Sequence, residues 1–283
     1  MAFSLASPRT PAAAIRLLAD APRGDVEVLA GGTDLLLDLD AGRVAPSRLI
    51  ALGRLPWRTL RRSGGDLVIG ATLPLADLER DPRLPRDLPG LFRAVRAVGS
   101  VALRHRATIG GNIARASPAS DLLPVLLALD ARVRLLGPSG ARELPLPALL
   151  RGPRETSLTP GELISHVVVP VRRPSAYLWQ RVRPSNDISQ VGIAVARRER
   201  APYWAVALGG VWPVPVRLPS VETILDAPVP GDAQVERAAQ EAALRAPFVT
   251  DKRATETYRR RLVAILLRRA VHAVAGAPQG RSR

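Results

Sequence analysis

The chain has 283 residues, 47% of them hydrophobic and 23% charged, so it is long and apolar enough to bury one large core or two to three small ones. It has no cysteine, which excludes disulfides, thiolate zinc sites, Cys-ligated iron-sulfur clusters and a cysteine nucleophile from this chain. The net charge of +16 raises nucleic acid as a partner, but the arginines are scattered, Lys252 is the single lysine, and no aromatic residues interleave with basic ones, so no nucleic-acid role is expected.

In chain order, Thr10 and Pro11 predict an N-cap and first helical position for a helix over 12–19. A β-branched run over 26–30 then meets Gly31-Gly32, followed by a helical stretch over 35–39 and a strand over 47–52. This is a small unit built on β-α-β alternation. The pattern repeats on a larger scale, with a strand over 67–71, helical stretches near 75–80 and 88–98, a helix over 121–129, and strands over 132–136 and 163–169. A basic, proline-containing junction at 172–175 marks a domain boundary. Beyond it lie strands over 176–182, 188–196 and 204–211, then helices over 233–245 and 255–275. Residues 278–283 are expected to form a tail. No apolar run reaches the roughly 20 residues of a bilayer span, and the first nine residues do not form a signal peptide, so a cytoplasmic setting is expected.

Two segments offer chemistry. In Val28-Leu29-Ala30-Gly31-Gly32-Thr33-Asp34-Leu35, paired glycines after a strand bring backbone N–H groups close to an anion at the start of a helix, as a pyrophosphate needs. A purely structural strand-to-helix turn fits the same residues, and neither the GxGxxG spacing of a dinucleotide site nor a P-loop lysine is present. In Thr108-Ile109-Gly110-Gly111-Asn112, two further glycines permit close approach, while Thr108, Asn112 and Asp121 supply hydroxyl, amide and carboxylate groups for a polar ligand. No metal site and no catalytic acid-base pair is legible. His105, His166 and His272 carry no assigned role.

Together these segments resemble the FAD-binding, or medium, subunit of the xanthine dehydrogenase and aerobic carbon monoxide dehydrogenase family of molybdenum hydroxylases. Residues 106–126 match the family's second flavin motif, and Ala30-Gly31-Gly32-Thr33-Asp34-Leu35 its first. Leu208-Gly209-Gly210-Val211 with Pro213, Pro215, Val216 and Arg217 resembles a C-terminal-domain signature, and the stretch Asp251 to Arg260 a later one.

The resemblance implies an α+β fold. A FAD-binding region of the vanillyl-alcohol-oxidase (PCMH) type would span 1–172, in subdomains 1–55 and 56–172, and a C-terminal domain over 173–277 would carry a three-stranded antiparallel sheet with helices. It implies that Val28 to Leu35 hold the FAD pyrophosphate, that Thr108 to Asn112 contact the cofactor near its phosphates and ribityl chain, and that Asp121 assists. Ile164 falls near a flavin-contact position. Arg181 stands where many relatives have lysine, which alters the local contact, since the two cations differ in shape and hydration.

The implied role is electron transfer. Substrate is oxidised at a molybdopterin-binding large subunit, electrons cross the [2Fe-2S] clusters of a small subunit, and FAD on this chain passes them to NAD+, a quinone or another acceptor, within a dimer of heterotrimers. A flavin-free scaffold subunit and a free-standing FAD oxidoreductase are the competing readings.

Overall fold

A computed structural model describes residues 3–22, 24–184 and 186–276. The expected tail at 278–283 lies outside the described residues.

The first unit comprises β1 (Ser4–Ala6), α1 (Pro11–Ala19), β2 (Val26–Leu29), α2 (Leu35–Asp40) and β3 (Arg48–Ala51). The Thr10 hydroxyl accepts the Ala13 N–H at 3.3 Å, capping α1 where the sequence places its start. The three strands are parallel in the order β1-β3-β2. At three residues, β1 is too short to leave a sequence pattern. A core of Ala14, Ile50, Leu52, Leu55, Trp57 and Leu163 ties this unit to the next.

The second unit begins with the hairpin β4 (Leu60–Ser63) and β5 (Asp66–Gly70). The helices α3 (Leu75–Glu79), α4 (Leu84–Asp87), α5 (Pro89–Ala97), α6 (Val101–Arg104), α7 (Ile109–Arg115) and α8 (Leu122–Ala128) follow. The chain then forms β6 (Arg132–Gly137), β7 (Gly140–Pro145), α9 (Leu146–Leu149), β8 (Leu150–Gly152), β9 (Glu155–Thr156) and β10 (Leu163–Pro170). Neighbouring strands of the sheet, ordered β4-β5-β10-β6-β7, are all antiparallel; β5 and β6 both run against β10 and so run in the same direction, and the long helical excursion between them is the crossover that leaves the central place for β10. The edge strands β4 and β7 escape sequence patterning because they are polar and largely solvent-facing. On the inner face Leu67, Ile69, Val133, Leu135, Val167 and Val169 join Leu91, Val95 and the apolar residues of α8 in the largest core.

The third unit is a meander of β11 (Ser175–Gln180), β12 (Val191–Arg197), β13 (Trp204–Gly209) and β14 (Val216–Arg217), closed by α10 (Pro219–Ile224), α11 (Asp232–Arg245) and α12 (Glu256–Ala275). Its sheet has four antiparallel strands, which corrects the expected three. The extra strand is two residues between prolines, pairing Ala207 with Arg217 and Leu208 with Val216. Prolines lack the N–H that a ladder needs, so the segment does not announce itself as a strand.

The sheet is covered on both faces. Tyr177, Ala194, Ala196, Ala205 and Ala207 belong to the core built by α5 and α8, whereas Ile193, Val195, Val206 and Leu208 pack on α11 and α12. This is why β12 and β13 are buried along their whole length. At the junction Asp130, in a left-handed conformation with φ 53°, accepts from Arg173, Arg198 and Arg217 at 2.5–2.8 Å. Burial opposes its ionisation, but the three guanidiniums hold its carboxyl well below the usual range.

Candidate functional site

Val28 and Leu29 end β2, residues 30–34 form the turn, and Leu35 begins α2. Gly32 has φ 80°, a conformation that L side chains resist. Among the described residues, the backbone N–H groups of Gly31, Gly32, Thr33, Asp34 and Leu35 donate no hydrogen bond, so this turn presents a run of free donors.

The second segment differs. Thr108 caps α7, its hydroxyl accepting the Gly111 N–H at 3.1 Å, while the Gly110 N–H donates to the Ala71 carbonyl at 3.1 Å and the Asn112 N–H to the Thr108 carbonyl at 3.0 Å. The donors of Gly110, Gly111 and Asn112 are thus spent on the fold. What remains free to face a ligand is the glycine surface and the side chains.

The two segments are docked on each other. A Cβ on Gly31 would lie 2.0 Å from the Arg106 carbonyl oxygen, and one on Gly110 would meet Ala71 Cβ at 2.6 Å and its carbonyl oxygen at 2.7 Å. These glycines are required by packing alone. A Cβ on Gly111 would meet only the Thr108 hydroxyl at 3.0 Å and Ala30 Cβ at 3.7 Å, leaving the space between the loops open to something else.

Ion pairs fasten the loops further. Asp38, 3% exposed in α2, accepts from Arg115 of α7 and from Arg43, both at 2.5 Å, and Asp34 lies 3.5 Å from Arg115. The hydrogen bond from Arg115, partly opposed by burial, carries the Asp38 carboxyl from its ordinary 3.8 down to about 2. Burial first, then Asp38, pushes nearby Glu27 up. Neither Asp38 nor Arg115 is singled out by sequence reasoning. The available signal was a lone acidic residue among the leucines of 35–39.

Asn112 is tied to Ser120, the residue before Asp121, whose hydroxyl donates to Asn112 Oδ1 at 2.6 Å and accepts the Leu122 and Leu123 N–H groups at 3.2 Å. Asp121, 8% exposed, accepts from the Tyr177 hydroxyl at 2.7 Å, the Ser189 hydroxyl at 2.6 Å and Arg181 Nη2 at 2.6 Å. Burial raises the Asp121 carboxyl despite Arg181, and burial together with Asp121 holds the Tyr177 phenol well above its usual range. Arg181 also donates to Ser189 Oγ at 3.1 Å and places its guanidinium carbon 5.4 Å from the Trp179 ring.

The structure thus brings the two glycine segments together and sets two hydrogen-bonded groups side by side, Asn112 with Ser120 and Asp121 with Arg181, Ser189 and Tyr177. Ile164 stands apart in β10 as a core residue, 6% exposed, beside a register shift of that strand. His105 borders Arg80, His166 is half-buried with its pKa depressed by burial and by Arg61 and Arg134, and His272 faces Asp232. Among the described residues no cluster of His, Asp or Glu is arranged to hold a metal ion, and no helix is long and apolar enough to cross a membrane.

Comparison with known proteins places this geometry in context. Residues 1–172 match the FAD binding domain in molybdopterin dehydrogenase, and residues 176–274 match the CO dehydrogenase flavoprotein C-terminal domain. The chain is 30% identical to a putative xanthine dehydrogenase FAD-binding subunit of Escherichia coli, over 96% of each chain. It is 29% identical to the nicotine 6-hydroxylase medium subunit of Paenarthrobacter nicotinovorans, over 87% of this chain and 89% of that one. In solved structures, it superposes on a chain of carbon monoxide dehydrogenase from Hydrogenophaga pseudoflava with a TM-score of 0.91 at 28% identity, covering 97% of both chains.

Proposed function

Because the chain belongs to the family of FAD-binding medium subunits of xanthine and carbon monoxide dehydrogenases, we propose that it relays electrons within a molybdenum hydroxylase. The electrons come from the [2Fe-2S] clusters of a small partner subunit, served by a molybdopterin-binding large subunit. They leave for NAD+, a quinone or another acceptor. The assembly is a dimer of such heterotrimers in a cytoplasmic setting.

The observation that carries this reading is the division between the two loops. Five consecutive free backbone donors at 31–35 form a cradle for the pyrophosphate of FAD, and the gap over Gly111, bounded by Ala30, admits the cofactor's backbone-hugging middle. Thr108 to Asn112 line that passage. The Asn112–Ser120 pair and the Asp121–Arg181–Ser189 group form a polar wall beyond it, in which Arg181 balances the buried Asp121. Ile164 contributes apolar backing. The bound flavin supplies storage of two electrons, and the chain fixes its place and electrostatic surroundings. On this reading residues 1–172 form the cofactor-binding region of the PCMH type in two subdomains, and 173–277 the supporting domain.

The test is the cofactor content of the chain co-purified with its partner subunits. FAD in near one-to-one amount is expected, and a colourless protein that still holds its partners supports a scaffold in its place. Gly111→Val provides the residue-level check. Its side chain presses on the Thr108 hydroxyl and fills the gap toward Ala30, so the fold is expected to be retained and FAD to be lost. Normal FAD content in folded Gly111→Val refutes the loop assignment.

A further inference from the structure

The late stretch Asp251 to Arg260 has no part in the site as described so far, yet it contains a side chain whose burial needs a reason. Arg259 of α12 is 3% exposed, and a buried guanidinium carries a large desolvation cost. Its Nη1 donates to the Gly210 carbonyl at 2.5 Å and its Nη2 to Asp251 Oδ1 at 2.6 Å, while its Nε has no partner among the described residues. Its neighbours along the helix, Leu262, Val263 and Leu266, pack by apolar contact and need no charge.

The group that Arg259 holds is the peptide of Gly210. That glycine has φ 73°, and a Cβ on it would sit 2.6 Å from the Gln190 carbonyl oxygen. Its N–H donates to the Pro118 carbonyl at 2.9 Å, so the residue is held by α12 through its carbonyl and by the 117–121 segment through its N–H. Gly209 lies equally close, with a Cβ there 3.2 Å from the Ser120 carbonyl oxygen. Ser120 in turn orients Asn112, and Asp121 follows directly in sequence. A second arm runs from the same clamp. Asp251 Oδ1 also accepts the Arg253 N–H at 2.8 Å, and the Arg253 carbonyl accepts Gln190 Nε2 at 2.6 Å, next to the Ser189 that donates to Asp121.

We infer that Arg259, with Asp251, is a positioning residue for the flavin site. It acts through Gly210 and Pro118 to set Asn112, and through Arg253 and Gln190 to set Ser189 against Asp121. The inference rests on the flavin reading above. A latch on the C-terminal domain thereby determines the shape of a site whose loops lie in the N-terminal region, although Arg259 itself touches none of the loop residues.

The experiment compares Arg259→Gln, Asp251→Asn and Arg268→Gln in the assembled complex. Arg268 bridges α12 to Glu236 of α11 at 2.6 Å, away from the Gly210 turn, and serves as the control for general loosening of that domain. FAD affinity and flavin midpoint potential are read beside thermal stability. Arg259→Gln is expected to weaken FAD binding about tenfold or more and to shift the potential. Asp251→Asn, which keeps its acceptor oxygen, should shift both in the same direction by less, Arg259→Lys should recover part of the loss, and Arg268→Gln should change neither. If Arg259→Gln and Asp251→Asn alter only thermal stability, as the control does, the latch is refuted and the flavin reading stands. A wild-type complex devoid of FAD refutes both.

Discussion

The two glycine pairs look alike in sequence and do different work. At 31–32 the free backbone donors are the asset, and Gly31 lets the turn rest against the Arg106 carbonyl. At 110–111 the donors are consumed by Ala71 and Thr108, and the asset is the bare surface of Gly111. Gly31 and Gly110 seat their loops against backbone, Gly32 supplies a positive φ, and Gly111 is the member that the proposed reading leaves to the ligand.

The largest expected effect comes from the seating glycines. Gly31→Ala drives a methyl group into backbone that has nowhere to move, and should cost about 3 kcal/mol. Thermal unfolding without added FAD is the measurement, and an unchanged midpoint contradicts the docking of the two loops. Next is the ionic fastening. Asp38→Asn weakens charge-assisted bonds to Arg115 and Arg43, and should cost about 1.5–3 kcal/mol at neutral pH. Because the folded carboxyl titrates at about 2, below its ordinary 3.8, its stabilisation is present above about pH 4 and is lost as pH falls through about 2. The gap between wild type and variant in denaturant unfolding should close over that window, and a gap independent of pH assigns the contact no ionic character. Gly32→Ala places an alanine at φ 80° against Leu29 and Leu36, for a cost of about 1 kcal/mol, read in the same unfolding assay. Smallest of all in stability is Gly111→Val, and its loss of FAD against that background is what separates a ligand-serving glycine from a seating one.

Much of this arrangement was legible in the sequence, because local chemistry announces itself locally. Thr10-Pro11 marks a helix start, Gly31-Gly32 a turn, and Asp121 a polar residue ahead of a buried helix. What was hidden depends on residues far apart in the chain. Arg115 reaches Asp38 across 77 residues, and Gly31 needs to be glycine because of a carbonyl at Arg106. Neither partner can be inferred from spacing. The fourth strand, at 216–217, was obscured by flanking prolines, and the antiparallel second sheet by the helices inserted between β5 and β6. Tyr177 and Ser189 were hidden because they become partners of Asp121 only when the C-terminal sheet folds against α8.

That sheet, with helices on both of its faces, governs how the molecule comes apart. Alternate residues of β12 complete a core begun by α5 and α8, and the intervening ones complete a core closed by α11 and α12. Separating the chain near residue 172 leaves each piece with an uncovered apolar face, so the recurring sequence units are not independent folding units. The shared sheet therefore predicts that the two cores melt together, so that FAD raises the unfolding temperature of α12 along with that of the glycine loops; two resolved calorimetric transitions would contradict it.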